Sequence, residues 1–262
     1  MNPPPKDFPW WLVVAAALGA VFLVQILTSD IYLRVLNTLL KGVWITVMVT
    51  VIAFSAASAL GLGIALMSLS KSIVLRQIAR FYVEIIRGIP IIVLLLYVAF
   101  VFAPVLVAGW NWTAEQIGFG TIRTRDFPLL WRAVLALTIG YSAFISEVFR
   151  AGLLSVDKGQ IEAAEALGLS PRQRFRHVVF PQAIRTILPP LGNDFVALVK
   201  DSSLVSVLGV LDITQLGKVT SASNFRYFET YNVVAFLYLT LTIGLSVLLR
   251  RLEARLRSGS RT

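Results

Sequence analysis

The residues best suited to chemistry in this sequence are four charged side chains within or beside long apolar stretches. They are Glu147, Asp194, Lys200 and Asp201. A charged group is costly to place at membrane depth, so acids and bases found there are functional candidates by default. They could bind an ion or a polar solute that crosses the membrane. Alternatively, Lys200 pairs with one of the acids and merely holds two helices together.

No catalytic signature accompanies these charges. The sequence has no cysteine, a single histidine, His177, and neither an H-E-x-x-H nor a G-x-S-x-G motif, so we expect no metal site and no enzyme. Gly217-Lys218 is similar to the end of a phosphate-binding loop. However, Asp212 replaces the first glycine of that motif and Val219 replaces its Ser or Thr. We therefore expect that the chain does not bind ATP through this motif.

The composition indicates a membrane protein. Hydrophobic residues make up 57% of the 262 residues and the mean hydropathy is +0.78, well above the values of soluble domains. The net charge of +10 could suggest nucleic acid, but no motif combines basic and aromatic residues in the required way. We assign the positive charge to cytosolic flanks and to contact with anionic membrane lipid.

Six apolar stretches predict an all-α fold with about six membrane-spanning helices. The first is interpreted as a span and not as a signal peptide, because it is long and no A-x-A-like site follows. The fifth is interrupted by prolines and charges, and we expect it to break, with Asp201-Ser202-Ser203 capping a new segment. The remaining parts are predicted to be polar connections, chiefly 29–41, 109–130 and 212–230. The predicted spans are 9–28, 43–69, 89–109, 133–146, 184–211 and 231–249.

Two shorter patterns bear on packing. Small residues recur every fourth position at Ala53, Ala57, Gly61 and Ala65, which predicts a close seam with another helix, although generic small-residue filling explains them equally well. Glu84 and Arg87 lie three positions apart, so they could pair on one face of a helix.

A basic, amphipathic stretch at 157–190 predicts two short helices. Asp157 can cap the first, with Gln160 reaching back, and Ser170 can cap the second, with Gln173 completing a capping box. Pro171 suits the first position of the second helix. Gly168 suits the left-handed residue that ends the first helix, and Pro181 is predicted to end the second.

This stretch resembles the "EAA" loop of the membrane subunits of bacterial ABC importers. The family pattern is E-A-A-x3-G-x9-I-x-L-P, and Glu162-Ala163-Ala164, Gly168 and Pro181 match it. Val178 and Phe180 replace the Ile and Leu of the pattern. The flanking segments 158–160 and 191–193 are similar to the polar amino-acid branch, the histidine/glutamine type. An ordinary amphipathic helix explains this spacing less well, since glycine and proline match together.

The resemblance covers residues 37–251 and implies a five-helix importer core with the polar loop on the cytosolic side. Residues 1–36 are then a tail and an additional span, and 252–262 are a basic cytosolic tail. The implied location is the bacterial inner membrane, with multiple passes and both termini in the cytosol. Most Lys and Arg residues lie on the cytosolic side in this arrangement, which agrees with the positive-inside rule.

The resemblance also implies the function: a permease subunit of an ATP-driven importer that moves a polar amino acid delivered by a solute-binding protein. The implied partners are ATPase subunits, which bind ATP and Mg, and a second permease, either identical or a sister chain. No cofactor is expected in this chain. Glu162 and Gly168 would hold the loop geometry and three arginines would contact the ATPase. The implied coupling residues are Glu162, Ala163, Ala164, Gly168, Arg172, Arg174, Arg176 and Pro181.

An amino-acid substrate requires one group for its carboxylate and one for its ammonium. Lys200 and a helix start at Asp201 and Ser202 could meet the carboxylate. Glu147 or Asp194 could meet the ammonium. The stretches 84–90, 141–152 and 200–204 resemble further family motifs.

Two other classes of protein remain open at this point. One is an ion-coupled secondary transporter of a small polar solute, which would use the buried acids and need no ATPase. The other is a membrane scaffold without a solute path, which would tolerate the loss of those charges. Neither class explains the spacing of the loop motif.

Overall fold

The computed structural model describes residues 8 and 10–258, and every regular element within them is a helix. The proline-rich start and the last part of the basic tail, 1–7, 9 and 259–262, lie outside the described residues. The helices are α1 Trp10–Thr28, α2 Asp30–Ser68, α3 Ile73–Gly88, α4 Ile91–Tyr97, α5 Ala103–Ile117, α6 Leu129–Leu154, α7 Lys158–Ala166, α8 Pro171–Arg174, α9 Phe180–Asp201, α10 Ile213–Asn224 and α11 Tyr227–Ser258.

Four shorter helical segments lie between these helices in the described part of the chain. Two are π-helical turns, Val98–Phe102 between α4 and α5 and Phe175–Val179 between α8 and α9. Two are 3-10 helices, Thr124–Asp126 and Ser202–Leu208. The predicted all-α class is therefore confirmed.

Among the residues that the structure describes, five helical stretches are long and apolar enough to cross a membrane: α1, α2, the continuous α4–α5 stretch Ile91–Ile117, α6 and α11. The remaining predicted span, the fifth, at 184–211, corresponds to α9, which has 22 residues and carries Arg185, Asp194 and Lys200. It packs against α6 and α11. Its charges therefore lie on a helix that is part of the bundle.

The predicted polar connection at 29–41 is wrong. Only Ser29 separates α1 from α2, and this segment is the first part of α2. Tyr32, Val35 and Leu39 are buried in one cluster with Ile26 of α1 and residues of α10 and α11. These spacings of three and four residues place the side chains on one helix face, so packing stabilises the helix here.

The small-residue seam of α2 is confirmed. Ala53, Ala57 and Ala65 are buried, and α2 crosses α6 at Gly61. A β-carbon at Gly61 would lie 2.9 Å from the carbonyl oxygen of Ser142, so only glycine permits this approach. This crossing forms the centre of the bundle.

The prolines do not end helices in the way the sequence predicts. Pro104 and Pro181 each lie in the first turn of an α-helix that directly follows a π-helical turn. A π turn shifts the hydrogen-bond register by one residue, which relieves the clash of the proline ring with the preceding turn. Pro189 and Pro190 also lie inside α9 without ending it. The predicted helix end at Pro181 is therefore wrong.

Candidate functional site

The first half of the polar loop is a capped helix followed by a left-handed glycine. The carboxylate of Asp157 accepts a hydrogen bond from the backbone N–H of Gly159 at 2.7 Å, as expected of an N-cap. Gly168 has φ +77° and its N–H donates to the carbonyl of Glu165, which confirms the predicted stop. The predicted return contact of Gln160 is wrong, since its side chain accepts from Gln182 of α9 at 2.5 Å. That contact ties α7 to α9.

The second half begins with the predicted capping box. The Ser170 hydroxyl accepts from the Gln173 N–H at 3.4 Å, and the Gln173 side chain accepts from the Ser170 N–H at 2.9 Å. Arg174 donates to Glu165 at 2.5 Å, so an ion pair links α8 to α7. The loop is thus a braced helical hairpin. Arg174 is paired with Glu165 within the hairpin, whereas Arg172 and Arg176 are exposed.

The hairpin also presents apolar side chains that the sequence analysis missed. Leu167 is 81% exposed, and Phe175 and Phe180 are about half exposed. Among the family-motif residues, Glu162 and Ala163 are exposed, and Ala164 is buried at 4%. The apolar Leu167 directly before the capping Gly168 was the feature of the sequence that could have predicted a contact surface here. His177 is exposed on the π turn, and no group of metal ligands occurs in the part of the chain described here.

The hairpin is anchored where α6 meets α9. Val156, Ala183 and Ile187 are buried together, and Ile161 and Val179 of the loop pack against them. Gly152, in the last turn of α6, faces Ile187 directly. A displacement of the hairpin therefore acts on both α6 and α9.

The candidate solute residues fall into separate groups. Glu147 forms an ion pair with Arg150, one turn further along α6, at 2.6 Å. Asp201 instead accepts a hydrogen bond from the Tyr141 hydroxyl at 2.7 Å. Tyr141 precedes Glu147 by six positions on α6, about 9 Å along the helix axis. Glu147 thus lies toward the polar loop, and Asp201 lies deeper in the bundle.

The other three candidate solute residues differ in whether their polar atoms already have partners. Asp194 is partly buried, and one of its carboxylate oxygens has no hydrogen-bond partner within the described chain. Lys200 is exposed and belongs to none of the ion pairs formed among described residues, so the alternative of a purely structural pair is not observed. The Ser202 hydroxyl is fully buried and donates to the carbonyl of Val199 at 2.7 Å.

The expected cap at Asp201 is wrong. The 3-10 helix Ser202–Leu208 continues directly from α9, Asp201 has αR geometry, and its side chain caps nothing. The hydrogen bond of its carboxylate goes to the Tyr141 hydroxyl instead of to a backbone N–H. Tyr141 is therefore a site residue that the sequence analysis missed, and its position in a family-like motif was the only signal.

Asp212 is the second missed residue. It was predicted to lie in an outer polar stretch, yet it is fully buried. Its carboxylate caps α10 by accepting from the Gln215 N–H at 2.8 Å, and it also accepts from the Tyr238 hydroxyl at 3.0 Å. Gly42 of α2 touches the backbone of Asp212 so closely that a β-carbon would lie 2.6 Å away. Asp212 thus joins α2, α10 and α11.

The predicted pair of Glu84 and Arg87 is also wrong. It is absent from the ion pairs among described residues, and the Arg87 guanidinium lies over the ring of Phe144 at 5.5 Å. On the same helix, the Tyr82 hydroxyl bonds with Ser142 at 2.8 Å. Burial raises the pKa of Tyr82 above its usual value, and the hydrogen bond from Ser142 opposes this. Tyr82 thus fixes α3 to α6.

Membrane-spanning helices around charged residues, together with a rigid polar hairpin anchored to two of them, define the membrane component of a transport system. The family described as "Binding-protein-dependent transport system inner membrane component" matches residues 57–258. Since this is well over half of the sequence, the chain belongs to that family.

Similar proteins agree with this assignment. The probable glutamine ABC transporter permease protein GlnM of Bacillus subtilis is 39% identical over 221 residues, which cover 84% of this chain and 94% of the relative. The glutamine transport system permease protein GlnP of Escherichia coli is 34% identical over 219 residues, or 84% and 93% of the two chains.

Solved structures show the same architecture. A crystal structure of an amino acid ABC transporter with histidines matches with a TM-score of 0.72 and 35% identity, covering 87% of this chain and 99% of that chain. The inward-facing MetNI methionine ABC transporter shares the fold, with a TM-score of 0.65, 23% identity and coverage of 87% and 99%.

The family assignment settles the general role of the chain. It is the permease subunit of an ABC importer of the inner membrane and not an enzyme, and ATP hydrolysis in these importers resides on a separate subunit. A solute-binding protein and ATPase subunits are its partners.

Proposed function

We propose that this permease translocates a polar amino acid and that the polar hairpin transmits the movement of the ATPase to α6 and α9. The hairpin geometry carries the mechanical part of the proposal. A left-handed Gly168, the Ser170 capping box and the Arg174–Glu165 ion pair make α7 and α8 one rigid unit. The glutamine and amino-acid permeases among the relatives support the substrate class.

The exposed residues of the hairpin form the contact with the ATPase. Arg172 and Arg176 supply charge, and Leu167 and Phe175 supply apolar area that is otherwise open to water. Glu162, Ala163, Ala164, Gly168, Arg174 and Pro181 shape and support this surface. ATP and Mg bind to the partner subunit, and this chain needs no cofactor of its own.

The solute path follows α6 and α9. The partly buried Asp194 has an unpaired carboxylate oxygen, which suits the ammonium group of an amino acid. Lys200 is free to meet the carboxylate. The Tyr141 hydroxyl holds Asp201 at 2.7 Å, and the buried Ser202 hydroxyl next to it donates to the carbonyl of Val199. Glu147 already has Arg150 as a partner, so it suits the ammonium less well than Asp194 does.

Both ends of the chain lie on one side of the membrane in this proposal. The Arg250 guanidinium lies over the ring of Trp11 at 5.9 Å, so the start of α1 and the end of α11 are neighbours. The concentration of basic residues at this end assigns it to the cytosol. A second permease, either identical or a sister chain, packs beside this one in the membrane and forms the other wall of the solute path.

The experiment that tests the proposal is co-purification of ATPase subunits with the tagged chain from detergent-solubilised membrane. Gly168→Val should lose the ATPase, since a β-branched residue cannot adopt φ +77° without strain. Gly118→Val is a matched control, because Gly118 has φ +74° and open surroundings but lies in the loop before α6. Equal loss in both variants, or no ATPase with the wild type, would refute the coupling role. Uptake of labelled glutamine by the reconstituted importer then tests the substrate class.

A further inference from the structure

A long apolar groove runs between α1 and α11. Its volume is about 660 Å³, and its lining residues belong to these two helices. On α1 the lining extends from Leu12 to Phe22, about 15 Å along the helix axis. This is half of a hydrocarbon core about 30 Å thick, so the groove has the length of one leaflet. Since both chain ends lie on the cytosolic side in the proposed topology, the groove belongs to the cytosolic leaflet.

Side chains bridge the two helices at each end of this groove. At one end Phe22 of α1 packs against Phe236 of α11, with the ring centroids 5.5 Å apart. At the cytosolic end the Arg250 guanidinium lies over the ring of Trp11 at 5.9 Å. The groove is therefore a slot that is limited at both ends by contacts between its own walls.

Small residues keep the middle of the groove open. A β-carbon at Gly19 of α1 or at Gly244 of α11 would meet no atom within 4 Å. At Gly61 of α2, by contrast, the backbone of α6 occupies that space at 2.9 Å. The small residues of α2 thus allow two helices to touch, whereas those of the groove leave room for something else.

The shape and polarity of the groove select a thin, flexible, apolar occupant. A helix with its side chains is about 10–12 Å wide, so it could lie across the outside of the slot but could not enter between the two bridges. The lining also offers few polar partners, since the Thr240 hydroxyl already donates to the carbonyl of Phe236 at 2.8 Å. An acyl chain of the surrounding leaflet is thin enough and needs no hydrogen bonds.

Positive charge lies on the same helix face, at the cytosolic end of the groove. Leu239, Ile243 and Val247 line the groove, and Arg250 follows them at the next helical spacing of three. Spacings of three and four residues place side chains on one face of a helix. Residues 250–257 contain four arginines and one glutamate, and such basic clusters at the cytosolic end of a span attract anionic headgroups. One lipid can therefore meet both the groove and the arginine.

We propose that this groove binds one acyl chain of an anionic phospholipid from the cytosolic leaflet, with the headgroup phosphate at Arg250. Within the described helix α1, only Ile26 is buried, so the lipid supplies much of the contact that joins this helix to α11. Helix α1 also precedes the residues that define the family. The lipid site is therefore separate from the hairpin and from the solute residues, and it is independent of which solute is transported.

Native mass spectrometry of the full chain in detergent tests this proposal. The probes are phosphatidylglycerol and phosphatidylcholine with the same acyl chains, and the wild type should retain one phosphatidylglycerol in preference to phosphatidylcholine. Gly19→Leu should lower the retention of both lipids about tenfold, as expected when a side chain displaces about two methylene groups of the lipid. Arg250→Gln should keep a lipid bound but lower the preference for phosphatidylglycerol about fivefold, as expected for one surface cation.

Each variant has a matched control. Gly63→Leu adds the same side chain to α2, at a glycine that also has open surroundings but does not line the groove. Lys71→Gln removes an exposed positive charge between α2 and α3, away from the groove. Both controls should bind lipid as the wild type does. Ala15→Leu fills the groove from a second position of α1 and keeps the test decisive if Gly19→Leu does not fold.

Three outcomes would overturn the proposal. One is an equal loss of lipid in Gly19→Leu and Gly63→Leu, and another is an equal retention of the two lipids by the wild type. The third is the retention of a second polypeptide that Gly19→Leu releases, which would show that the groove receives a helix of a partner protein instead of a lipid.

Discussion

Gly152 of α6 and Ile187 of α9 touch so closely that a β-carbon on the glycine would lie 2.2 Å from Cγ1 of the isoleucine. The contact lies at the point where both helices enter the polar hairpin, with Val156 and Ala183 buried beside it. The Ile187 side chain therefore packs directly on the backbone of Gly152. We infer that this contact makes α6 and α9 respond together when the ATPase moves the hairpin.

The first prediction follows from this contact. Gly152→Ala should destabilise the protein by about 1–3 kcal/mol, because the added methyl group overpacks the contact. Ile187→Ala combined with Gly152→Ala should recover part of the loss by opening space for that methyl group. Thermal unfolding of the purified variants in detergent measures both effects. A simple sum of the two single losses in the double variant would contradict the direct contact.

The second prediction concerns the brace of the hairpin. Arg174→Glu should weaken association with the ATPase, because it replaces an attraction to Glu165 by a repulsion. The exchange variant, Arg174→Glu with Glu165→Arg, should restore much of the association. The pair itself is expected to contribute only about 0.2–1 kcal/mol, since Glu165 is well exposed.

Co-purified ATPase per permease measures this effect. Arg172→Glu, with Arg172 exposed on the same helix, is the comparison, and Glu165→Arg should not rescue it. If the exchange variant stays as weak as Arg174→Glu, then Arg174 acts by contacting the ATPase directly and not by bracing the hairpin.

The third prediction concerns the hydroxyl that holds Asp201. Tyr141→Phe should lower solute uptake by the reconstituted importer about tenfold or more, since a hydrogen bond to a charged group is worth about 1.5–3 kcal/mol. Association with the ATPase should be unchanged, because Tyr141 lies away from the hairpin. Uptake rates over a range of solute concentrations separate a change in KM from a change in maximal rate.

Tyr97→Phe serves as the control for that measurement. It removes the same hydroxyl from an exposed tyrosine of α4, and uptake should stay at the level of the wild type. Wild-type uptake by Tyr141→Phe would show that the bond to Asp201 has no role in transport.

The fourth prediction compares two helix caps. Asp157→Ala removes an exposed cap of α7 and should cost about 1 kcal/mol. Asp212→Ala removes a fully buried cap of α10 and also leaves the Tyr238 hydroxyl without its carboxylate partner, so it should cost more, about 2–4 kcal/mol. Thermal unfolding of the two variants side by side checks the order, and a larger loss for Asp157→Ala would contradict it.

The sequence by itself determined the features that depend on near neighbours. The left-handed Gly168, the capping box of Ser170 with Gln173 and the N-cap at Asp157 each involve residues at most three or four positions apart, so their chemistry can be read directly. The apolar composition and the spacing of the loop motif likewise determined the membrane class and the family. These properties belong to the chain before it folds.

Only the tertiary structure decided which charged residues meet. Tyr141 and Asp201 are 60 positions apart, and Asp212 is buried because α2 approaches it at Gly42. Helix ends also depended on packing. Pro181 was expected to end a helix, but it follows a π turn that accommodates its ring. The physical reason is that contacts between distant segments bury area and satisfy polar groups at a free-energy gain larger than the local preferences they override.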